Sequence, residues 1–207
     1  MERLAEKIIS VLKSEVFIQV EASGRHVHLS QKDADLLFGE NYVFQKQKPL
    51  SQPGQFAAKE RVDIVTEKGE FKNVAILGPV RGDSQVEISM TDARVLGISP
   101  PTRLSGSIND SPGIVLRAGN KEISLNKGVI IAKRHIHLTP ETAKKFNLRD
   151  GETVKLKMFS KRPLIFDDTV VRVSSSFADY AHIDYDEANA CGFRQGDLGL
   201  IIKKNVD

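Results

Sequence analysis

The strongest constraint on this chain is a duplication. Arg25-His26-Val27-His28-Leu29 returns as Arg134-His135-Ile136-His137-Leu138, 109 positions later counted from His26 to His135. Each copy follows an apolar run rich in β-branched residues, Val16-Phe17-Ile18-Gln19-Val20 in one case and Val129-Ile130-Ile131-Ala132 in the other. Each copy also precedes a helix start. Side chains alternate in direction along an extended segment, so the two histidines of a copy face one way and the arginine and Val27 or Ile136 face the other. An H-x-H on one face of a strand end is a two-toothed metal clamp. Of the five histidines in 207 residues, four lie in these two clamps.

The fifth, His182, belongs to the same pattern. Glu87-Ile-Ser-Met-Thr-Asp-Ala-Arg-Val-Leu-Gly97 aligns without gaps on His182-Ile-Asp-Tyr-Asp-Glu-Ala-Asn-Ala-Cys-Gly192, with Ile, an acid, Ala and Gly recurring in register. Glu87 falls on His182. Each half therefore supplies H-x-H and a third ligand-type residue, 59 positions beyond His28 in one half and 45 beyond His137 in the other.

Two histidines with a glutamate, or three histidines, suit a borderline metal such as Zn²⁺ and leave coordination positions open for water or substrate. Thiolate ligands, common in closed structural zinc sites, are missing apart from Cys191, which its small neighbours Ala190 and Gly192 mark as buried. If the halves pack face to face, two metals share one pocket, one holding a nucleophile while the other polarises a carbonyl or phosphoryl oxygen. Arg81, in the Gly/Pro-framed loop Gly78–Asp83, precedes Glu87 by six residues, and its guanidinium fork suits a phosphate or carboxylate. Arg25 and Arg134 point away from the histidine face if the strands stay regular, and read either as supports for the ligands or as structural. Asn189 offers an amide oxygen seven residues past His182.

The punctuation around these motifs predicts a mainly β fold with short helices. A strand over Glu15–Glu21 leads into the first clamp, and Ser30 caps a helix Gln31–Phe38 that Gly39 stops. Residues 40–60 carry loop chemistry and read as a mobile flap. Strands Arg61–Val65 and Phe71–Leu77 flank the turn Lys68-Gly69, and strand Gln85–Ser89 precedes a short helix capped by Thr91 or Asp92 and ending at Gly97. Further short strands fill 98–128. After the second clamp, Thr139-Pro140 opens a helix through Phe146. Strands follow at Thr153–Met158, Leu164–Phe166 and Thr169–Val173, then a helix near Asp186–Ala190 and a strand Leu198–Ile202. Leu4, Ile8, Ile9 and Leu12 give the first residues one apolar helical face, either a cap on the body or a docking helix for a partner or shell.

The bulk numbers exclude more than they select. Net charge is +3, too weak to argue for nucleic acid but compatible with an anionic substrate. No stretch approaches the ~20 apolar residues of a membrane span. Glu2, Glu6 and Lys7 interrupt what would be the apolar core of a signal peptide. A single cysteine rules out an internal disulfide and makes a reducing cytosol the default compartment. There is no G-x-S-x-G elbow, P-loop or Rossmann fingerprint. Cupins place their glutamate within a few residues of H-x-H, and amidohydrolase barrels typically need ~250 residues.

With these residues in view, GRHVHLS, GPVRGDSQVEIS, KRHIHLT and AHIDYDEANACG resemble, in order and spacing, the signature segments of the PduL-type phosphate propanoyltransferase (phosphotransacylase) family. The resemblance runs from about Val16 to the C-terminus. It implies a two-zinc acyltransferase interconverting acyl-CoA (propanoyl-CoA or acetyl-CoA) and phosphate with acyl phosphate and CoA. It implies two small β-barrel domains capped by helices and interleaved, one from 15–24 plus 133–207 and the other from 25–132, with an N-terminal amphipathic helix over 1–14. By motif, His26, His28 and Glu87 hold one zinc, and His135, His137 and His182 with Asn189 hold the second. Other divalent metals fit the same donors. Arg81 becomes the catalytic, phosphate-binding arginine. The resemblance also implies a homodimer. Many relatives work inside bacterial microcompartments, in propanediol degradation, and carry an amphipathic N-terminal extension and a linker. Here Met1–Lys13 runs almost directly into the first strand, which leaves a cytoplasmic enzyme and a microcompartment enzyme in contact with shell proteins both open. From the residues alone, two rivals stand: a metal-dependent thioester or phosphoester hydrolase using metal-bound water, and a non-catalytic metal-binding module.

Overall fold

The computed structural model describes residues 16–204, and the helix expected over 1–14 lies outside the described residues. The chain divides into two compact units. One comprises residues 16–22, Arg134–Ile183 and 187–204; the other comprises Ser23–Lys133 with Asp184–Asp186. The first strand, β1 (Val16–Ser23), leads from the former unit into the latter. Next come β2 (His26–His28), α1 (Gln31–Phe38), β3 (Lys46–Pro49), β4 (Phe56–Val65), β5 (Glu70–Gly78), β6 (Gln85–Ile88) and α2 (Met90–Leu96). They are followed by β7 (Thr102–Arg103), β8 (Ile114–Ala118), β9 (Lys121–Leu125) and β10 (Val129–Ala132). The chain then returns to the first unit with β11 (His135–Leu138), α3 (Pro140–Lys145), β12 (Thr153–Phe159), β13 (Ile165–Val173), β14 (Tyr180–Asp184), α4 (Tyr185–Cys191) and β15 (Leu198–Lys203).

The first unit is a closed barrel in the order β1-β14-β11-β13-β12-β15. The second is an open, nine-stranded sheet, β7-β10-β6-β2-β5-β4-β8-β9, with β3 paired to β4. The mainly β, helix-capped architecture is the expected one, and the open sheet is the half-barrel partner of the closed barrel.

The duplication holds at the level of strand register. In the open-sheet unit, β2 runs antiparallel to β6 and parallel to β5, with His26 opposite Glu87 on one side and Ala75 on the other. In the barrel unit, β11 runs antiparallel to β14 and parallel to β13, with His135 opposite His182 and Val170. Glu87 to His182 and Ala75 to Val170 are the same offset of 95 positions. On the far side of each clamp strand, Val27 or Ile136 is fully buried in its unit's core, with Leu29, Ile64, Ile76 and Leu96 in one and Leu138, Leu156, Met158 and Ile183 in the other.

The clamp arginines anchor the strands they precede. Arg25 pairs with Asp92 (2.6 Å) and lies 4.1 Å from the centre of the Phe71 ring. Arg134 pairs with Glu187 and Asp168 and lies 5.2 Å from the Phe166 ring. Phe71 and Phe166, and Asp92 and Glu187, are again 95 positions apart. A second anchor recurs with its chemistry exchanged. Ser84 accepts the Ser30 N–H (2.9 Å) and donates to the Asp33 carboxylate. At the equivalent places, the Asp179 carboxylate accepts from the Thr139 N–H (2.7 Å) and the Thr142 hydroxyl (2.6 Å). Hydroxyl and carboxylate have traded positions.

Three local readings change. Half of the expected flap is an ordered hairpin, with Lys48 opposite Ala57 and Pro49 opposite Phe56. β3 hid because it is an edge strand with all four side chains exposed, and charges and proline on an edge look like loop chemistry. Helix α2 is capped by Ser89, not by Thr91 or Asp92. Asp92 is the return arm of the capping box, accepting the Ser89 N–H at 3.3 Å. The two strands expected between Leu164 and Val173 are one, β13, facing a register shift between Val154 and Leu156 of β12.

One turn controls the ligand strand β6. Gly128 has φ +124, its carbonyl accepts the Val86 N–H (2.9 Å), and a Cβ there would sit 2.7 Å from the Ser84 carbonyl oxygen. Gly128→Ala is expected to lower unfolding free energy by about 1–3 kcal/mol, the cost of strained backbone plus displacement of β6. Gly54→Ala, at φ +77 in open space, is the control for backbone strain alone and should lose less in the same urea titration.

Candidate metal centres

Antiparallel register assembles the first ligand set. His26 and Glu87 face each other across β2 and β6, and His28 faces Gln85. Opposite residues of such a pair put their Cβ atoms ~5 Å apart on one face of the sheet. The Nδ1 of His26 donates to the Gly24 carbonyl (2.8 Å) and that of His28 to the Leu77 carbonyl (3.1 Å). These bonds fix the tautomer and aim both Nε2 lone pairs at Glu87, 3.5 Å from its Oε2 and 3.9 Å from its Oε1 respectively. Glu87 is itself held: Gln85 Nε2 (2.5 Å) and Ser105 Oγ (2.8 Å) both donate to Oε1.

Arg81 is tied to this set from two sides. Its N–H donates to the Leu29 carbonyl at the end of the clamp strand (2.8 Å), and its guanidinium donates to Ser105 Oγ (2.9 Å). Ser105 thus links an arginine to the carboxylate of a candidate ligand set. Neither Ser105 nor Gln85 was singled out by sequence reasoning. Gln85 lies two residues from Glu87 on the same strand face and was within reach of the alternation rule; Ser105, in a turn after β7, carried no signal.

The second set is built the same way. His135 faces His182 across β11 and β14, and His137 faces Tyr180. The ring centres of His135, His137 and His182 lie 4.6–5.1 Å apart. Glu21 of β1 reaches Nδ1 of His182 at 3.9 Å. Phe177, another residue missed in the sequence, stacks on His137 with ring centres 4.0 Å apart. Asn189 lies on α4 with an exposed side chain, and its backbone carbonyl accepts the Gly192 N–H. Cys191 is buried, as expected.

Both sets fit a metal. In each, one ligand atom per residue can be chosen so that all lie within 4.8 Å of one another. Both ring nitrogens of His137 are buried and lack a hydrogen-bond partner among the described residues. Buried polar atoms are rarely left so, and a bound cation would satisfy one of them. Electrostatics point the same way. Burial, the neighbouring imidazoles and Arg172 push His137 down to about 2. Burial, His26 and Arg81 push His28 down to about 3. Neutral imidazole is the ligand form. Burial also pulls His26 down and Glu87 up, but their mutual attraction outweighs it and leaves His26 above and Glu87 below the ordinary value.

A sequence model of the phosphate propanoyltransferase family matches residues 19–194. The chain is 53% identical over 204 residues to a phosphate propanoyltransferase of Clostridioides difficile (strain 630), covering 99% of this chain and 98% of that one. It is 54% identical over 202 residues to the Leptotrichia buccalis protein of that name, covering 98% and 95%. It is 49% identical over 198 residues to the Thermotoga maritima one, covering 95% and 94%. This kinship places it among the acyltransferases. It belongs to the phosphate propanoyltransferase family. No helix among the described residues is long and apolar enough to cross a membrane.

The depressed histidines set a pH dependence for the metal-free protein. Unfolded, His28 and His137 take up protons near 6.5; folded, they stay neutral to about 3 and about 2. The unfolded state therefore binds more protons as pH falls below 6.5, and stability drops. The raised pKa of His26 gives stability that is already fully present below 6.5, so it does not offset the loss. The lowered pKa of Glu87 gives stability lost only in stronger acid. Melting of the chelated protein should fall by on the order of a few degrees between pH 6.5 and 5. A flat profile by circular dichroism would refute the neutral assignment.

Proposed function

We propose that the protein is a phosphate acyltransferase that interconverts propanoyl-CoA or acetyl-CoA and phosphate with acyl phosphate and CoA. It uses two zinc ions, one on His26, His28 and Glu87 and the other on His135, His137 and His182 with Asn189. The observation that carries this reading is the Arg81–Ser105–Glu87 chain, which fixes an oxyanion-binding cation against a metal-ligand carboxylate in a member of this family.

Phosphate is a poor nucleophile toward a thioester unless it is positioned, and positioning removes much of the entropic barrier. Arg81, held through its backbone N–H by the Leu29 carbonyl and through its guanidinium by Ser105, binds phosphate oxygens and orients one oxygen toward the acyl carbon. The new bond joins phosphate oxygen to acyl carbon; the carbon–sulfur bond breaks, and CoA departs with the electron pair as thiolate. Zinc, when bound, supplies Lewis acidity to the carbonyl or phosphoryl oxygen and affinity for the departing sulfur. No covalent acyl-enzyme is required, which accords with the lack of a serine elbow.

CoA-thiol release from propanoyl-CoA and acetyl-CoA is the test. Release should require phosphate and cease on chelation; release without phosphate would favour the hydrolase. Arg81→Ala should raise the KM for phosphate at least tenfold, in line with the loss of a charge-assisted contact of about 1.5–3 kcal/mol. Zinc content should not change, because Arg81 is not among the residues assigned to either ion. An unaltered phosphate dependence removes the role assigned to Arg81.

A further inference from the structure

The two units part company at two positions beside the histidine triad. Arg172 stands in register with His137 on the parallel neighbour β13, at the place where the open-sheet unit has Leu77. Phe177, stacked on His137, stands where that unit has Gly82. In-register residues of adjacent strands send their side chains to the same face, so Arg172 shares the ligand face with His137. Its guanidinium carbon lies 5.5 Å from the centre of the Phe177 ring, and its charge is one of the causes that keep His137 neutral. Arg134, by contrast, is matched by Asp168 and Glu187. Among the described residues no acid lies within ion-pair distance of Arg172. A half-buried cation beside three imidazoles, which themselves suit a divalent cation, concentrates positive charge, and Glu21 meets that charge at His182, not at Arg172. The repeat carries an uncharged leucine at the equivalent place. Phe177 gives the guanidinium a face to lie on, which limits the freedom an anion would otherwise have to freeze out.

We propose that Arg172, seated on Phe177, binds a phosphoryl oxyanion beside the histidine triad of the barrel unit. This rests on the acyltransfer reading for the identity of the ligand. The oxyanion comes either from free phosphate and acyl phosphate or from the phosphate groups of CoA. Arg81 and Arg172 then give each metal-ligand set its own anion-binding arginine, one from a loop and one from a strand.

Calorimetric titration of the zinc-loaded full-length chain tests this, with inorganic phosphate, CoA and pantetheine as separate titrants. Arg172→Met keeps the stem and removes the charge. It should weaken phosphate at least tenfold if the free anion is the ligand. If CoA is the ligand, it should weaken CoA at least tenfold and leave pantetheine unchanged. Arg172→Lys should recover part of the loss, and zinc content should match the wild type throughout. Arg172→Gln is the second variant should the methionine variant fail to fold, with the same loss expected. Wild-type affinity for both phosphate and CoA in a folded variant overturns the proposal, as does a wild-type chain that binds neither. Binding that depends on Arg172 in a protein without phosphate-dependent CoA release would instead sink the acyltransfer reading and leave the anion seat standing.

Discussion

Everything at the two centres depends on one pairing: the clamp strand lies antiparallel to the strand that carries the third ligand, with His26 opposite Glu87 and His135 opposite His182. Backbone hydrogen bonds bring these residues together, so the ligand set needs no loop to fold into a particular shape. That explains how a separation of 59 positions serves one half and 45 the other. Loop length is free when the ladder sets the distance. It also explains why Val27 and Ile136 are fully buried: a slip of one residue would turn the histidines inward and these core residues outward.

On that shared frame the two sets differ in charge and in support. The Glu87 set carries a carboxylate that offsets part of a bound cation's charge and is hydrogen-bonded by Gln85 and Ser105. The His182 set has an imidazole in place of that carboxylate, with Glu21 standing behind His182 at 3.9 Å, so an ion held there would keep more of its charge for stabilising a developing anion. His26 and His28 are steered by backbone carbonyls; His137 is steered by the stacked Phe177 ring. Geometry is duplicated, and electronic character is not.

Much of this was legible in the sequence, and the reasons are specific. The clamps could be read because strand alternation is local, and Glu87 and His182 because a helix with an acid, an alanine and a glycine in register follows each of them. Arg81 stood out through its Gly/Pro frame. Ser105 did not, since it reaches Glu87 only through the fold, and neither did Phe177, which replaces a glycine in its own repeat. β3 was unreadable because an edge strand with no buried side chain has no apolar period. The sequence pattern puts Ser89 at the end of a strand, and in the fold it is the cap that starts a helix.

The exchanged anchor has a consequence for how such a chain can change. Ser84 with Asp33 and Asp179 with Thr142 each join one hydroxyl to one carboxylate. Recombination that carried a segment of one half into the other would set two carboxylates against each other in one hybrid and two hydroxyls in the reciprocal one. The first is repulsive, and the second leaves the helix start without its anion. The halves are therefore insulated from mutual overwriting. Two copies that began alike can keep different ligands, different arginines and different chemistry without being blended back into one.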